Sequence, residues 1–456
     1  MTEERGAPRR KISASHVICK QRKCHACHKS LQPAPPVLLR YRLREPMITL
    51  CSHSKLPENT APSPTIGDIF RKYGPAFRAA NRLHPRQHKI MYDIEHCRRG
   101  EFGTHWEICD TCGHLEKGYN SCRNRHCPGC NDIARRRWVS TRIEELLPVS
   151  YHHCVFTLPD IFNPLCRYNR QAIYDLLFES AAKTLLEFGQ NPKRLGAKIG
   201  FYGILHTWGG KLPLHPHIHF IVTAGGINAL GEWVEPKYSA SFLFPVTALS
   251  NVFRAKFLSS LIAAQNSGQL KLPDEMVQYS RPCAFRQWLY HTTPKEWVVY
   301  SKPPFSSPAE VVKYIGRYTH STAISNNRII SVDDDIVKFW FKNTRKKSRW
   351  EITSLPVMEF IDRFLLHVLP KNFHRIRYYG FLANGQASQH LPEIRRALND
   401  RDVPDVEPLK EKVPQCPVCG KGNMITILVL DGYGNVVKED FPKIRVGQVP
   451  AKAGSP

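Results

Sequence analysis

The chain has 456 residues, 42% of them hydrophobic, and carries 65 Lys and Arg against 39 Asp and Glu, a net charge of +26. That length accommodates about two to four modest domains, and the positive surplus points to a polyanionic partner, because each basic side chain set on a phosphate releases counterions. No apolar run is long enough to span a bilayer and none follows the basic N-terminus, so neither a transmembrane segment nor a secretory signal is expected, and the expected location is the cytoplasm.

Residues 1–60 are rich in Lys, Arg, Pro and Ser without sustained periodicity and read as a disordered or mis-annotated extension, with Met47 as an alternative start. A helical pattern then runs from Ile66 to Arg98. Residues 101–136 are dense in Cys, His and Gly. Tyr151–Leu158 reads as a strand stopped by Pro159, and Asn169–Phe188 as an amphipathic helix closed by Gly189. Gly200–Trp208 and Leu214–Thr223 read as two strands joined by a Gly-Gly-Lys-Leu-Pro turn. A helix over Thr247–Gln265, a short strand at Trp297–Tyr300, a helix over Pro308–Thr319 and a hairpin of Arg328–Ser331 with Ile336–Phe341 complete the pattern.

This order predicts an α+β sandwich with a mainly antiparallel sheet and helices on one face. The expected domains are a zinc-binding domain over 61–148, a core over 149–325, an accessory region over 326–385, and a flexible, polar, Pro-rich tail over 386–456.

Fifteen cysteines, several in Cys-x-x-Cys pairs, read as reduced metal ligands rather than disulfides. Cys109-x-x-Cys112 and Cys127-x-x-Cys130 have the spacing of a four-thiolate structural zinc site, with Gly113 where a tight turn is wanted. Cys97, His105, Cys122 and His126 supply either a second zinc site or, alternatively, a core thiol and DNA-contacting histidines.

The most informative stretch is Leu214–Val222. Alternate residues of a strand share a face, so His217 and His219 can reach one metal ion, joined by His215 if the strand extends through Pro216. Further on, Ser307–Glu310 has the form of a capping box with Pro at the first helical position. Tyr314 and Tyr318 follow, four residues apart and therefore on one helix face. Such a pair is also an ordinary apolar stripe with Val311 and Ile315. Beside a metal that polarises a phosphate, however, a tyrosine hydroxyl becomes a usable nucleophile. No Walker-type phosphate loop is present, so no nucleotide-driven chemistry is expected.

Together these segments resemble the two-tyrosine HUH endonucleases of rolling-circle insertion sequences. His217-Ile218-His219 resembles their His-hydrophobic-His motif, and Tyr314-Ile315-Gly316-Arg317-Tyr318 their paired-tyrosine motif. Ser121–Pro128 is similar to their N-terminal zinc domain, and Phe364–Pro370 and Phe373–Gly380 to their C-terminal region. The resemblance spans about residues 65–385, in the family's order. It implies a ferredoxin-like nuclease core and catalytic Mg²⁺ or Mn²⁺. The implied partner is single-stranded DNA at the element ends and target site, handled in the bacterial nucleoid through a 5′-phosphotyrosine intermediate. The motif leaves the third metal ligand open; His215 is the first candidate and Glu310 the second.

Arg123 and Arg125 beside the cysteines, Arg317 in the tyrosine helix, Arg345 and Lys346, and Arg375 and Arg377 within an aromatic run are the candidate DNA contacts. Two other readings remain at this point. One is a plasmid replication initiator or relaxase with the same chemistry. The other is a non-enzymatic zinc-ribbon regulator in which the His strand and Tyr helix merely pack.

Overall fold

The computed structural model describes residues 63–236, 243–301, 321–343, 349–398 and 413–440, together with Phe305, Glu310, Val311, Tyr314 and Gly316. The expectations for residues 1–62, and those for Ser307, Arg317, Tyr318, Arg345 and Lys346, lie outside the described residues.

Two helices replace the single one expected at the start: α1 (Ile66–Ala80) and α2 (Pro85–Glu95). The break falls before Pro85, whose ring disfavours helical geometry at His84. Thr65 and Asp68 form a capping box on α1: the Asp68 N–H donates to the Thr65 hydroxyl at 3.2 Å and the Thr65 N–H to Asp68 Oδ2 at 2.8 Å. The hairpin of β1 (Thr104–Cys109) and β2 (Leu115–Tyr119) and helix α3 (Asn131–Glu144) follow.

The centre of the molecule is a six-stranded sheet. Its strands are β3 (Tyr151–Thr157), β4 (Lys198–Trp208), β5 (Leu214–Ile227), β6 (Trp233–Val234), β7 (Val299–Ser301) and β11 (Ile376–Gly380). The order is β11-β4-β5-β3-β7, with β6 beside β5, and every pairing is antiparallel. On one face, Phe156, Phe201, Leu205, Phe220 and Val222 pack with Leu177, Phe178 and Ala181 of α4 (Arg170–Gln190) and with Phe253 and Phe257 of α5 (Val246–Asn266).

The opposite face is covered as well, which differs from the one-sided sandwich expected. Tyr151, Tyr202, Ile204 and Ile221 lie beneath Val139 of α3, Val311, Phe381 and Leu391. The reason is in the strands: β4 is buried from Ile199 to Thr207 and β5 from Ile218 to Gly226, so both faces must be kept from water. The architecture is a mixed helix and antiparallel-sheet fold with a Cys-rich region near its N-terminal end.

A smaller sheet, β8 (Ile329–Asp333), β9 (Ile336–Asn343) and β10 (Arg349–Pro356), extends the expected hairpin by one strand. It shares a core with α1, α2 and helix Val357–Leu365, where Phe70 meets Phe364 edge-on at 5.3 Å between centroids.

Past residue 385, composition alone suggests a flexible tail. The chain instead forms helix Ala387–Ala397 and the strands β12 (Met424–Leu430) and β13 (Val436–Glu439). β12 pairs with β1, giving a sheet ordered β13-β12-β1-β2. Leu391 and Ile394 of the helix are buried on the central sheet with Tyr202 and Ile204, and main-chain pairing holds the strands, so over residues 387–397 and 424–439 the polar composition reflects exposed outer faces. Among the described residues no helix is long and apolar enough to cross a membrane.

Candidate active site and zinc cluster

His217 and His219 lie on the same face of β5, as strand alternation requires. The third histidine that joins them is His206 of β4, directly opposite His217 in the hairpin register. The ligand nitrogens of His206, His217 and His219 all lie within 4.8 Å of one another. Both expected third ligands lie outside this group. His215 sits 3.6 Å from Asp160 Oδ1. Glu310 is exposed at the start of the tyrosine helix.

Each imidazole of the group has defined neighbours. His217 Nδ1 donates to the His215 carbonyl at 2.7 Å, which leaves Nε2 available. His219 Nδ1 lies 2.9 Å from Nε2 of His153. Trp208 stacks on His206 at 4.6 Å between centroids. Burial, with His215 and His206 adding to it, holds the His217 imidazole well below its ordinary pKa and therefore neutral, the form a metal takes. Hydrogen bonds at the far nitrogen are the usual means of fixing a ligating histidine's tautomer and orientation.

Tyr314 reaches this group from the helix above it. Its hydroxyl is 2.8 Å from His153 Nε2 and 3.2 Å from His219 Nδ1, and its ring packs on Phe305 at 5.2 Å. His153 and His206 are the residues that sequence reasoning missed. His206 could have been found by counting back along the hairpin from His217. His153 had no comparable signal, because its neighbourhood depends on how β3 registers against β5, with Val155 opposite His219.

The zinc expectation is also redistributed. Cys97, Cys122, Cys127 and Cys130 form one group, with Cys130 Sγ 3.4 Å from Cys97 and 3.5 Å from Cys122. Cys130 stands at the N-terminus of α3, where the helix dipole favours a thiolate. Hydrogen bonding with Cys122 first, then with Cys127, draws Cys97 down to about 7. Cys109 and Cys112, expected to pair with Cys127 and Cys130, sit at the far tip of the β1–β2 hairpin. Pairing of Thr104 with Tyr119, continued by Arg98 N–H to the Asn120 carbonyl at 3.2 Å, returns Cys122 to Cys97 and carries that tip away. Cys109 and Cys112 group instead with Cys416 and Cys419.

Both histidines of the expected second site lie outside the two cysteine groups. His105 Nδ1 lies 2.9 Å from Asn120 Oδ1, and its ring covers Gly118. His126 is packed beside Arg125, Trp208, His367 and Arg375. Burial, then Arg125 and Arg375, holds its imidazole well below the ordinary value.

The candidate DNA contacts divide sharply. Arg123 is exposed in a left-handed turn at φ 51°. Arg125 donates to the Phe373 and Pro370 carbonyls at 2.7 and 3.1 Å. Arg375 donates to the Ser321 carbonyl at 2.8 Å, and burial pulls it down to about 10. Arg377 pairs with Asp175 and lies over Phe178 at 4.3 Å. Arg125, Arg375 and Arg377 are therefore engaged in contacts within the fold.

Comparison with known proteins shows which family the chain belongs to. Residues 200–389 match a family model described as "Putative transposase", and residues 69–158 match one described as "Transposase zinc-binding domain" of the IS91 type. The chain is 43% identical to "Putative transposase y4qJ" of Sinorhizobium fredii over 385 residues, 81% of this chain and 96% of the relative. It is 30% identical to "Transposase for insertion sequence element IS801" of Pseudomonas savastanoi pv. phaseolicola over 292 residues, 63% of this chain and 68% of the relative. No solved structure matches it. The chain belongs to the IS91/IS801-type insertion-sequence transposases, a rolling-circle family of DNA-binding enzymes with an N-terminal zinc-binding domain.

Proposed function

We propose that this transposase nicks and rejoins single-stranded DNA at its element's ends and target site, with Tyr314 as a nucleophile beside a metal centre of His206, His217 and His219. The observation that carries this reading is the Tyr314 hydroxyl, 2.8 Å from His153 Nε2 and 3.2 Å from His219 Nδ1. Tyr314 aims its hydroxyl at a histidine cluster brought in from distant strands.

The donor set fits a divalent ion. Three converging imidazoles face one point, His217 is kept neutral, and the outer nitrogens of His217 and His219 are occupied by other groups. His206, His217 and His219 would hold Mg²⁺ or Mn²⁺, which would supply charge neutralisation at the scissile phosphate.

The Tyr314 oxygen attacks the phosphorus, and the bond from phosphorus to the 3′ oxygen breaks. The phenol gives up its proton, and the departing 3′ oxygen takes one up. The products are a 5′-phosphotyrosine and a free 3′-OH, and attack by a 3′-OH on the phosphotyrosine reverses the step. The link conserves the phosphodiester's energy, so joining needs no nucleotide. Tyr318, one helical turn on, is the candidate second nucleophile. The antiparallel sheet, with the His strand at its centre and the tyrosine helix over its histidine face, supports a ferredoxin-like HUH core.

The test combines purified protein, Mn²⁺ and an end-labelled single-stranded oligonucleotide spanning an element end, resolved on a denaturing gel. Label shifted by the mass of the protein, and lost with EDTA or in Tyr314→Phe/Tyr318→Phe, is the expected result. Label retained only under native conditions would point instead to a zinc-bearing DNA-binding protein without covalent chemistry.

A further inference from the structure

The cysteines at the tip of the β1–β2 hairpin face a second Cys-x-x-Cys from far along the chain. We infer that Cys109, Cys112, Cys416 and Cys419 bind a structural Zn²⁺ of their own, which fastens residues 413–440 to the N-terminal sheet.

The two halves have the same local geometry. Each pair is followed directly by a glycine in the left-handed region, Gly113 at φ 73° and Gly420 at φ 63°. Each glycine N–H donates to the carbonyl of the first cysteine of its pair, Gly113 to Cys109 at 3.1 Å and Gly420 to Cys416 at 2.9 Å. Main-chain N–H groups point at the sulfurs: Thr111 and Cys112 at Cys109 Sγ, both 3.4 Å, Val418 at Cys416 Sγ, 3.4 Å, and Gly422 at Cys419 Sγ, 3.3 Å. N–H donors of this kind stabilise thiolates, the form that ligates metal.

The sulfur spacing fits one shared ion. Cys109 to Cys419 and Cys112 to Cys416 are each 3.7 Å, and all four sulfurs lie within 4.8 Å of one another. A tetrahedron with zinc–sulfur bonds of about 2.3 Å has edges of about 3.8 Å. The shortest approaches join the two pairs, so one central ion satisfies all four cysteines.

Burial supplies the need for it. The hydrophobic cluster beneath this sheet consists of Cys109, Cys416 and Met424, with Cys112 and Cys419 packed against them. The outer strands β2 and β13 are largely exposed. A sheet with so little apolar surface out of water needs a staple, and a zinc site is the usual one. Gly422 makes the close approach possible: a Cβ there would lie 2.4 Å from Cys109 Sγ.

The experiment measures zinc in the purified full-length protein by mass spectrometry of the metal. Two zinc ions per chain are expected, falling to one in Cys416→Ser/Cys419→Ser and separately to one in Cys97→Ser/Cys122→Ser. One zinc in the wild type, or two that persist in Cys416→Ser/Cys419→Ser, overturns the proposal. Alkylation of the wild-type protein provides a check independent of any variant. Cys419 should react roughly tenfold or more slowly than the exposed Cys283 until a chelator is added. Equal rates in the zinc-loaded protein would also overturn the assignment.

Discussion

Nε2 of His153 lies 2.9 Å from Nδ1 of His219, so the strand beside the His-x-His motif reaches the outer edge of a candidate metal ligand. The same nitrogen is 2.8 Å from the Tyr314 hydroxyl. His153 thus ties the candidate nucleophile to the histidine cluster without belonging to the ligand group.

A positioning role for His153 predicts a split between chemistry and metal binding. His153→Ala should slow covalent DNA capture by about 10²-fold, the scale of a lost orienting contact. His153→Gln, which can still accept from the phenol, should recover part of that loss. Mn²⁺ affinity, measured by calorimetry, should change far less than the rate. Equal losses in both variants would count against the role.

His206 and His215 are distinguished by metal affinity. His206→Ala should weaken Mn²⁺ binding by more than the roughly 10–100-fold typical of losing a supporting group. His215→Ala should leave affinity within a few-fold, because only its carbonyl serves the site. Titration followed by the electron spin resonance of free Mn²⁺ reads both, and the reverse ranking would restore His215 as the ligand.

Tyr314→Phe alone should remove the covalent adduct at the first cleavage if Tyr314 acts first. It should leave a single-cleavage product if Tyr318 does. Peptide mapping of the DNA-linked tyrosine in the wild type identifies which residue carries the phosphate, and a link to neither would refute the proposed mechanism.

Two arginines near the zinc cluster should behave oppositely. Arg125→Met removes two bonds to buried carbonyls and should cost about 1.5–3 kcal/mol of stability, read as a lower Tm. Arg123→Ala should leave Tm unchanged. If Arg123 contacts a phosphate, the change should weaken DNA binding and reduce the salt slope by about one.

How much could be read in the chain follows the range of the interactions. Strand alternation alone puts His217 and His219 on one face, and the β4–β5 hairpin was visible from its turn. His206 was within reach of the same logic, since a short turn fixes hairpin register. His153 was not, because β3 and β5 are joined through two helices and another strand, and their register is set by the folded core. The cysteine spacing pointed to six of the eight clustered thiols but joined them in other sets, and it left out Cys416 and Cys419. Two Cys-x-x-Cys pairs close in sequence look like one site, yet the intervening hairpin separates them and selects partners on either side of it. Composition likewise conceals β12, whose order comes from its pairing with β1.

That pairing has a consequence for synthesis. A ribosome releases the β1–β2 hairpin long before it reaches residue 424, and domains generally fold from the N-terminus as they emerge. Throughout that interval β1 presents an unpaired edge, the kind of surface that recruits other strands. A polypeptide interrupted before β12 keeps this edge permanently. Cells carrying copies of the gene terminated before β12 should therefore accumulate them as aggregates or degradation products, whereas chains that include β12 conceal the edge once it pairs with β1.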